Sequence, residues 1–290
     1  LIQHLNQTDL PLIGMSDASL KDGQCGHAWI LSTGDPDHIT DQNMSIHGSG
    51  AVDGAPRYMS STRGELHGQT AMAIMSNLLL RAHNSTATKT ILHGDNKGVQ
   101  QTCSRIHTNR LKHHRQSDMD LKIEYQKATM GYNISNAWIK GHQDNDKPWQ
   151  EVEDLKKMKL SNTAILNTWC DKLANDARRN NISYTNAEIY PHEKWAVFTT
   201  YPTVQKVTGQ LDEAIIEQHS QEGLSTYLRK KHNLGPELLE HIDQESLYHY
   251  LRPLRVHKRA SIVKLMHHWI PTQAFLQKQK CCKNAWQFRC

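Results

Sequence analysis

Four carboxylates sit where an acidic side chain does little for a hydrophobic core. Asp17 closes the apolar run of LPLIGMSDAS, Glu65 lies in SSTRGELHG, Asp95 follows the apolar pair of ILHGDNKGVQ, and Asp171 stands in NTWCDKLANDARR. Each has an ordinary structural reading. Asp17 suits a turn. Glu65 suits the first turn of a helix, where the macrodipole favours a negative charge. Asp95 and Asp171 suit helix N-caps. Their combination points elsewhere. If the strands carrying Asp17 and Asp95 are neighbours in one sheet, the two carboxylates end side by side, and crowding them costs charge repulsion and desolvation. A divalent cation removes that cost. Hard oxygen ligands select Mg²⁺ or Mn²⁺, and two such ions about 4 Å apart suit in-line displacement at phosphorus.

The elements that must position these groups are legible from periodicity. Residues 10–19 are an apolar run, 25–33 alternate, and 44–54 form a third run whose glycines suggest a bulge or close backbone approach. Short polar loops between them predict a meander of antiparallel strands. Over 60–83 the period changes to that of a helix: Leu66, Thr70, Ile74, Asn77 and Leu78 share a face, widened by Ala71, Met75 and Leu79. Ser60 to Thr62 offer N-caps. Residues 88–96 read as a strand, 97–106 and about 115–130 as helices, 134–142 as a last strand and 167–179 as a helix. The order βββαβααβα predicts a mixed sheet with helices on its faces.

Composition sets outer limits. The 290 residues permit one large domain or two smaller ones. Mean hydropathy is −0.69, and no apolar run approaches the length of a membrane span. The N-terminus has no signal-peptide pattern and no Met, and the chain stops at Cys290, so we expect a fragment of a longer polypeptide. A net charge of +5 fits a polyanionic partner without requiring one. Cys25, Cys103 and Cys170 are scattered, and Cys281, Cys282 and Cys290 cluster at the end. That is no secreted disulfide framework, so a reducing intracellular compartment, cytoplasm or nucleus, is expected.

The segments MSDAS with Asp17, SSTRGELHG with Glu65, LHGDNKG with Asp95, WIKGHQDN with His142 and NTWCDKLANDA with Asp171 resemble, in this order, a type 1 ribonuclease H domain of the sort fused to retrotransposon reverse transcriptases. The resemblance implies a ribonuclease H-like mixed five-stranded sheet flanked by helices over residues 8–182. A mainly helical basic extension over 190–290 follows, ending in the cysteine cluster. It further implies that Asp17, Glu65, Asp95 and Asp171 bind two Mg²⁺ ions, with Mn²⁺ as a substitute. One ion would activate the attacking water, and the other would stabilise the leaving 3′ oxygen of the RNA strand in an RNA/DNA hybrid. His142, on a mobile loop, would assist proton movement or product release. A reverse transcriptase domain would precede this segment in the same polyprotein.

Some features depart from that pattern. The loop between His142 and Asp171 is longer than in bacterial enzymes, and residues 143–166 are expected either to displace the histidine or to form a separate lid. Cys170, beside Asp171, reads as a small buried residue and not as a nucleophile. No extended basic handle is evident between 97 and 115, although RLKHHR at 110–115 is basic. For substrate choice, Ser19, Gly64, Glu65 and Asn96 lie next to the metal ligands and are expected to reach the minor groove and its 2′-hydroxyls. Arg63 and Lys97 are expected to hold phosphates.

In the last third, residues 251–290 are rich in cations, and Ile262, Leu265, Met266 and Trp269 have helical spacing. A core face with a solvated basic side and a nucleic-acid contact both fit that pattern. Cys281, Cys282 and Cys290 resemble the start of a zinc module but fall short of four ligands. Two rivals stand beside a hybrid-specific ribonuclease: a catalytically silent hybrid-binding segment of a polyprotein, and a DNA nuclease of related fold such as an integrase or transposase.

Overall fold

The structure is a computed structural model that describes residues 1, 10–55, 58–84, 88–106, 117–144, 148–180, 189–193, 196–199, 204–209 and a few positions beyond. The basic run at 110–115, Leu265, Met266, Trp269 and the cysteines at 281, 282 and 290 lie outside the described residues.

Five strands form one sheet: β1 (Leu12–Lys21), β2 (Gln24–Thr33), β3 (Ser45–Ala51), β4 (Thr90–Gly94) and β5 (Ile134–Trp138). Their order is β3-β2-β1-β4-β5. β1, β2 and β3 run antiparallel as a meander, whereas β4 pairs parallel with β1 and β5 parallel with β4. The parallel pairs need crossovers, and helices supply them. These are α1 (Ser61–Ala82), α2 (Lys97–Ile106), α3 (Met119–Thr129), α4 (Val152–Lys157) and α5 (Asn162–Asn180). The mixed five-stranded sheet flanked by helices is the expected ribonuclease H-like architecture.

Alternation along β1 divides the core. Leu12 joins Leu31, Leu66, Met72, Leu92, Val99 and Tyr125 on the α1–α3 face, while Ile13 and Met15 join Ile30, Ile165, Leu166 and Trp169 on the α5 face. Burying a leucine or isoleucine of this kind contributes about 1.5–3 kcal/mol. α1 sits close to the sheet because its inner face is small. A Cβ at Gly64 would come within 2.5 Å of Cys25 Sγ, and one at Gly68 within 3.1 Å of the Ala28 carbonyl. The buried face of α1 runs through Leu66, Gln69, Met72, Ala73, Ser76 and Leu80. It is therefore rotated from the predicted apolar stripe, and Ile74 and Leu78 are 39% and 53% exposed.

Two boundaries differ from expectation. α5 begins at Asn162 and not near 167, so Asp171 lies mid-helix and not at an N-cap position. Most of the long loop before it is packed structure. Val152 and Leu155 of α4 are buried against Ile165 and Leu166, and Lys172 Nζ stands 4.4 Å over the Trp149 ring. Residues 189–209 belong to the same compact unit, Leu1–Ser220, with a second unit over Gln221–Cys290. β6 (Phe198–Thr199) and β7 (Gln205–Lys206) pair antiparallel there. No helix among the described residues is long and apolar enough to cross a membrane.

Candidate active site

The register of β1 against β4 builds the site. Ser16 pairs with Gly94, so the next residues, Asp17 and Asp95, emerge side by side. β1 continues to Lys21, which makes Asp17 a mid-strand residue and not the turn residue expected. Glu65 comes from the second turn of α1; the first turn holds no acid, so the macrodipole reading does not apply. Ser60 caps that helix by accepting from Arg63 N at 3.1 Å. One carboxylate oxygen from each of Asp17, Glu65 and Asp95 lies within 4.8 Å of the others.

The electrostatics follow from crowding under burial. Asp17 is held well above the usual carboxylate range, first by desolvation, then by the charges of Asp95 and Asp171; the hydrogen bond from Ala18 N at 2.7 Å opposes this. Glu65 is raised by burial and by Asp17 and Asp95. Asp95 is raised by burial, with His142 pulling the other way. Asp171, half-buried on α5, acts on Asp17 through its field but is not one of the three convergent ligands. Cys170 anchors this part of α5. Its thiol is fully buried and donates to the Met15 carbonyl at 3.6 Å, and burial pushes its proton affinity up, which suits packing and not nucleophilic attack.

Asp95 is separated from capping. Asn96 is the residue whose Oδ1 accepts from Val99 N at 3.1 Å at the start of α2. The backbone of Asp95 is fixed from the opposite side: Trp138 Nε1 donates to the Asp95 carbonyl at 2.6 Å, and Ile139 N donates to the Gly94 carbonyl at 3.1 Å. Gln69 Nε2 holds the preceding carbonyl, of His93, at 2.9 Å. A Cβ at Gly141 would run into the Asp95 carboxylate, so only glycine lets this loop pass so close. The next residue, His142, is exposed and has φ +51°. In WIKGH the indole and the glycine, besides the histidine, are the sequence signals of this arrangement.

The residues expected to meet substrate divide. Lys97 is exposed at the start of α2, and Asn96 is occupied as the cap. Ser19 Oγ accepts from Arg178 Nε at 3.0 Å. Gly64 is buried between α1 and the sheet. Arg63 is a correction. Its side chain is 0% exposed and pairs with Asp53 at 3.0 Å, Asp118 at 3.1 Å and Asp120 at 3.0 Å, so no substrate phosphate reaches it. The N-cap brings the Arg63 side chain onto the face of α1 that looks toward α3, away from Glu65.

No family model matches the chain, and no curated protein does. Similar solved structures include the N-terminal RNase H domain of a Mycobacterium tuberculosis protein, 17% identical, covering 59% of this chain and 94% of that one, TM-score 0.39. RNase H1 from the halophilic archaeon Halobacterium salinarum is 14% identical over 59% and 99%, TM-score 0.36. A foamy viral protease-reverse transcriptase in complex with dsDNA is 10% identical over 59% and 96%, TM-score 0.36. The fold is read from the chain's own sheet order, strand directions and strand registers.

Proposed function

We propose that this domain is a metal-dependent endonuclease that hydrolyses the RNA strand of RNA/DNA hybrids. The observation carrying the reading is the convergence of Asp17, Glu65 and Asp95 within 4.8 Å. The set offers only hard oxygen donors, and its raised proton affinities report a charge deficit that a divalent cation would fill. Two Mg²⁺ ions, or Mn²⁺, held by Asp17, Glu65, Asp95 and Asp171 would supply Lewis acidity for displacement at phosphorus.

The chain's own groups do the rest. Ala18 N–H orients the Asp17 carboxylate, and Trp138 with the 139–141 backbone holds Asp95 in place. His142, exposed beside Asp95, would carry a proton between the site and solvent. Lys97 is free to meet a phosphate. The sequence resemblance extends the proposal to a retrotransposon polyprotein with a reverse transcriptase domain upstream, acting in the cytoplasm or nucleus.

The test is cleavage of a labelled RNA/DNA hybrid beside duplex DNA and duplex RNA, with Mg²⁺ and with EDTA, using the full chain and Asp95→Asn. Hybrid cutting that needs Mg²⁺ and is lost in the variant is expected. Equal cutting by Asp95→Asn would overturn the site. Cutting of duplex DNA alone would favour an integrase-like nuclease, and binding of hybrid without cutting a silent hybrid-binding segment.

A further inference from the structure

Near the acidic centre stands a cation held, among the described residues, by neutral partners alone. Arg178, half-buried on α5, donates from Nε to Ser19 Oγ at 3.0 Å and from Nη2 to Asn175 Oδ1 at 2.7 Å. Both partners are neutral. The buried cations Arg63 and Lys206 are ion-paired with carboxylates, whereas among the described residues no ion pair is seen for half-buried Arg178, nor for half-buried Lys122, whose Nζ donates to the Ser117 carbonyl at 2.8 Å.

Its position follows from two periodicities. Asp171, Asn175 and Arg178 stand at i, i+4 and i+7, on one side of α5. Asp17 and Ser19 stand at i and i+2, on one face of β1. Arg178 therefore ends a row that begins in the candidate site, about 10 Å along the helix axis from Asp171 by helical rise. α5 is seated firmly there, because a Cβ at Gly26 of β2 would come within 2.5 Å of Arg178 N. A guanidinium already held in a fixed orientation loses little freedom when it grips a planar or tetrahedral anion.

We infer that Arg178 binds a phosphate of the nucleic acid near the one cleaved, and that Ser19 and Asn175 are positioning residues that aim its guanidinium. The inference rests on the nuclease reading above. Ser19 then acts through Arg178 and not by reading a 2′-hydroxyl.

The experiment measures affinity of the full chain for an RNA/DNA hybrid in EDTA, where nothing is cut, at several salt concentrations. Cleavage with Mg²⁺ is measured separately. Arg178→Gln should bind about tenfold more weakly at low salt and reduce the slope of log K against log[salt] by roughly 0.7–0.9, one phosphate contact. Ser19→Ala keeps the charge, so it should weaken binding less and leave that slope unchanged. Arg178→Lys keeps the slope and loses part of the affinity, which holds the test open if Arg178→Gln fails to fold. An unchanged slope in a folded Arg178→Gln overturns the inference. If the wild type binds hybrid with the expected slope change but never cuts, the catalytic reading falls and the phosphate contact stands. A wild type that does not bind hybrid overturns both.

Discussion

The protein crowds carboxylates in two places and resolves the repulsion differently. At the end of β1 and β4, Asp17, Glu65 and Asp95 converge, and all three proton affinities are raised, burial being the largest cause. At the N-termini of α1 and α3, Asp53, Asp118 and Asp120 converge on Arg63, and Lys206 bridges Asp120 at 3.1 Å to Glu193 at 2.7 Å. Burial would raise Asp120 as well, but Arg63 and Lys206 outweigh it and hold its value at about 2. Asp118 remains raised, because burial there exceeds what Arg63 returns. One cluster carries its cations in the sequence and the other does not. The first is built to hold segments together: Tyr190 donates to Asp53 at 2.6 Å, His192 Nδ1 meets Glu124 at 2.7 Å, and Asp118 N donates to the Thr208 carbonyl at 2.7 Å. The second, in the function proposed above, takes its balancing charge from a bound cation.

The sharpest way to break this contrast is to neutralise one member of each cluster. Asp95→Asn should lower hybrid cleavage by about 10³-fold or more, from several kcal/mol of lost transition-state stabilisation. Its melting temperature in EDTA should not fall, because a repulsive charge has gone. Arg63→Met should do the reverse to stability. Removing one partner of a buried ion network costs about 3–5 kcal/mol, a drop in Tm of roughly 10 °C by calorimetry. A stable Arg63→Met protein would show that the network is not what joins residues 189–209 to the sheet domain.

Acidity separates the clusters next. Asp17 and Glu65 have raised folded values, so the folded state binds protons more tightly than the unfolded chain. Their contribution is present in acid and is lost as pH rises from the ordinary values of 3.8 and 4.5 through the raised ones. Asp120 is lowered to about 2, so its contribution is present above the ordinary 3.8 and lost as pH falls toward 2. In EDTA the melting temperature should therefore peak in mild acid and decline on both sides. Mg²⁺ should lift the neutral and alkaline limb and leave the acidic limb in place. An equal lift at pH 4 and pH 8 would remove the acidic centre as the site of binding.

How much of this was legible in the sequence depended on the range of the interaction. Alternation in β1 and β2 and the residue types around Asp17, Glu65, Asp95 and His142 are local, and the mixed sheet is legible from them; that the strands of Asp17 and Asp95 adjoin was only a condition in the sequence, and the register of β1 with β4 meets it. Element starts were less legible. Asp17 lies inside β1 because the strand continues through Ala18 to Lys21 in register with β2, which no period in LPLIGMSDAS reveals. Asp171 lies mid-helix because α5 extends back to Asn162 over a run with buried Ala164, Ile165 and Leu166. The role of Arg63 was not legible at all. Its partners Asp118 and Asp120 come from the start of α3, far along the chain, and a cation next to GELHG reads equally well as a phosphate ligand.

The smallest effect tests the local separation of capping from chemistry at two adjacent residues. Asn96 Oδ1 accepts from Val99 N, and Asp95 makes no such bond. Removing an N-cap side chain costs about 1 kcal/mol. Asn96→Ala should therefore lose roughly that much stability in denaturant titration, whereas Asp95→Asn should lose none. Under metal-saturated conditions the order reverses for activity: Asn96→Ala keeps Asp95 anchored by Trp138 and Ile139, so most of the cleavage rate survives. If Asp95→Asn instead destabilises the chain and Asn96→Ala does not, Asp95 is the cap, and its place among the converging carboxylates is a consequence of ending a strand.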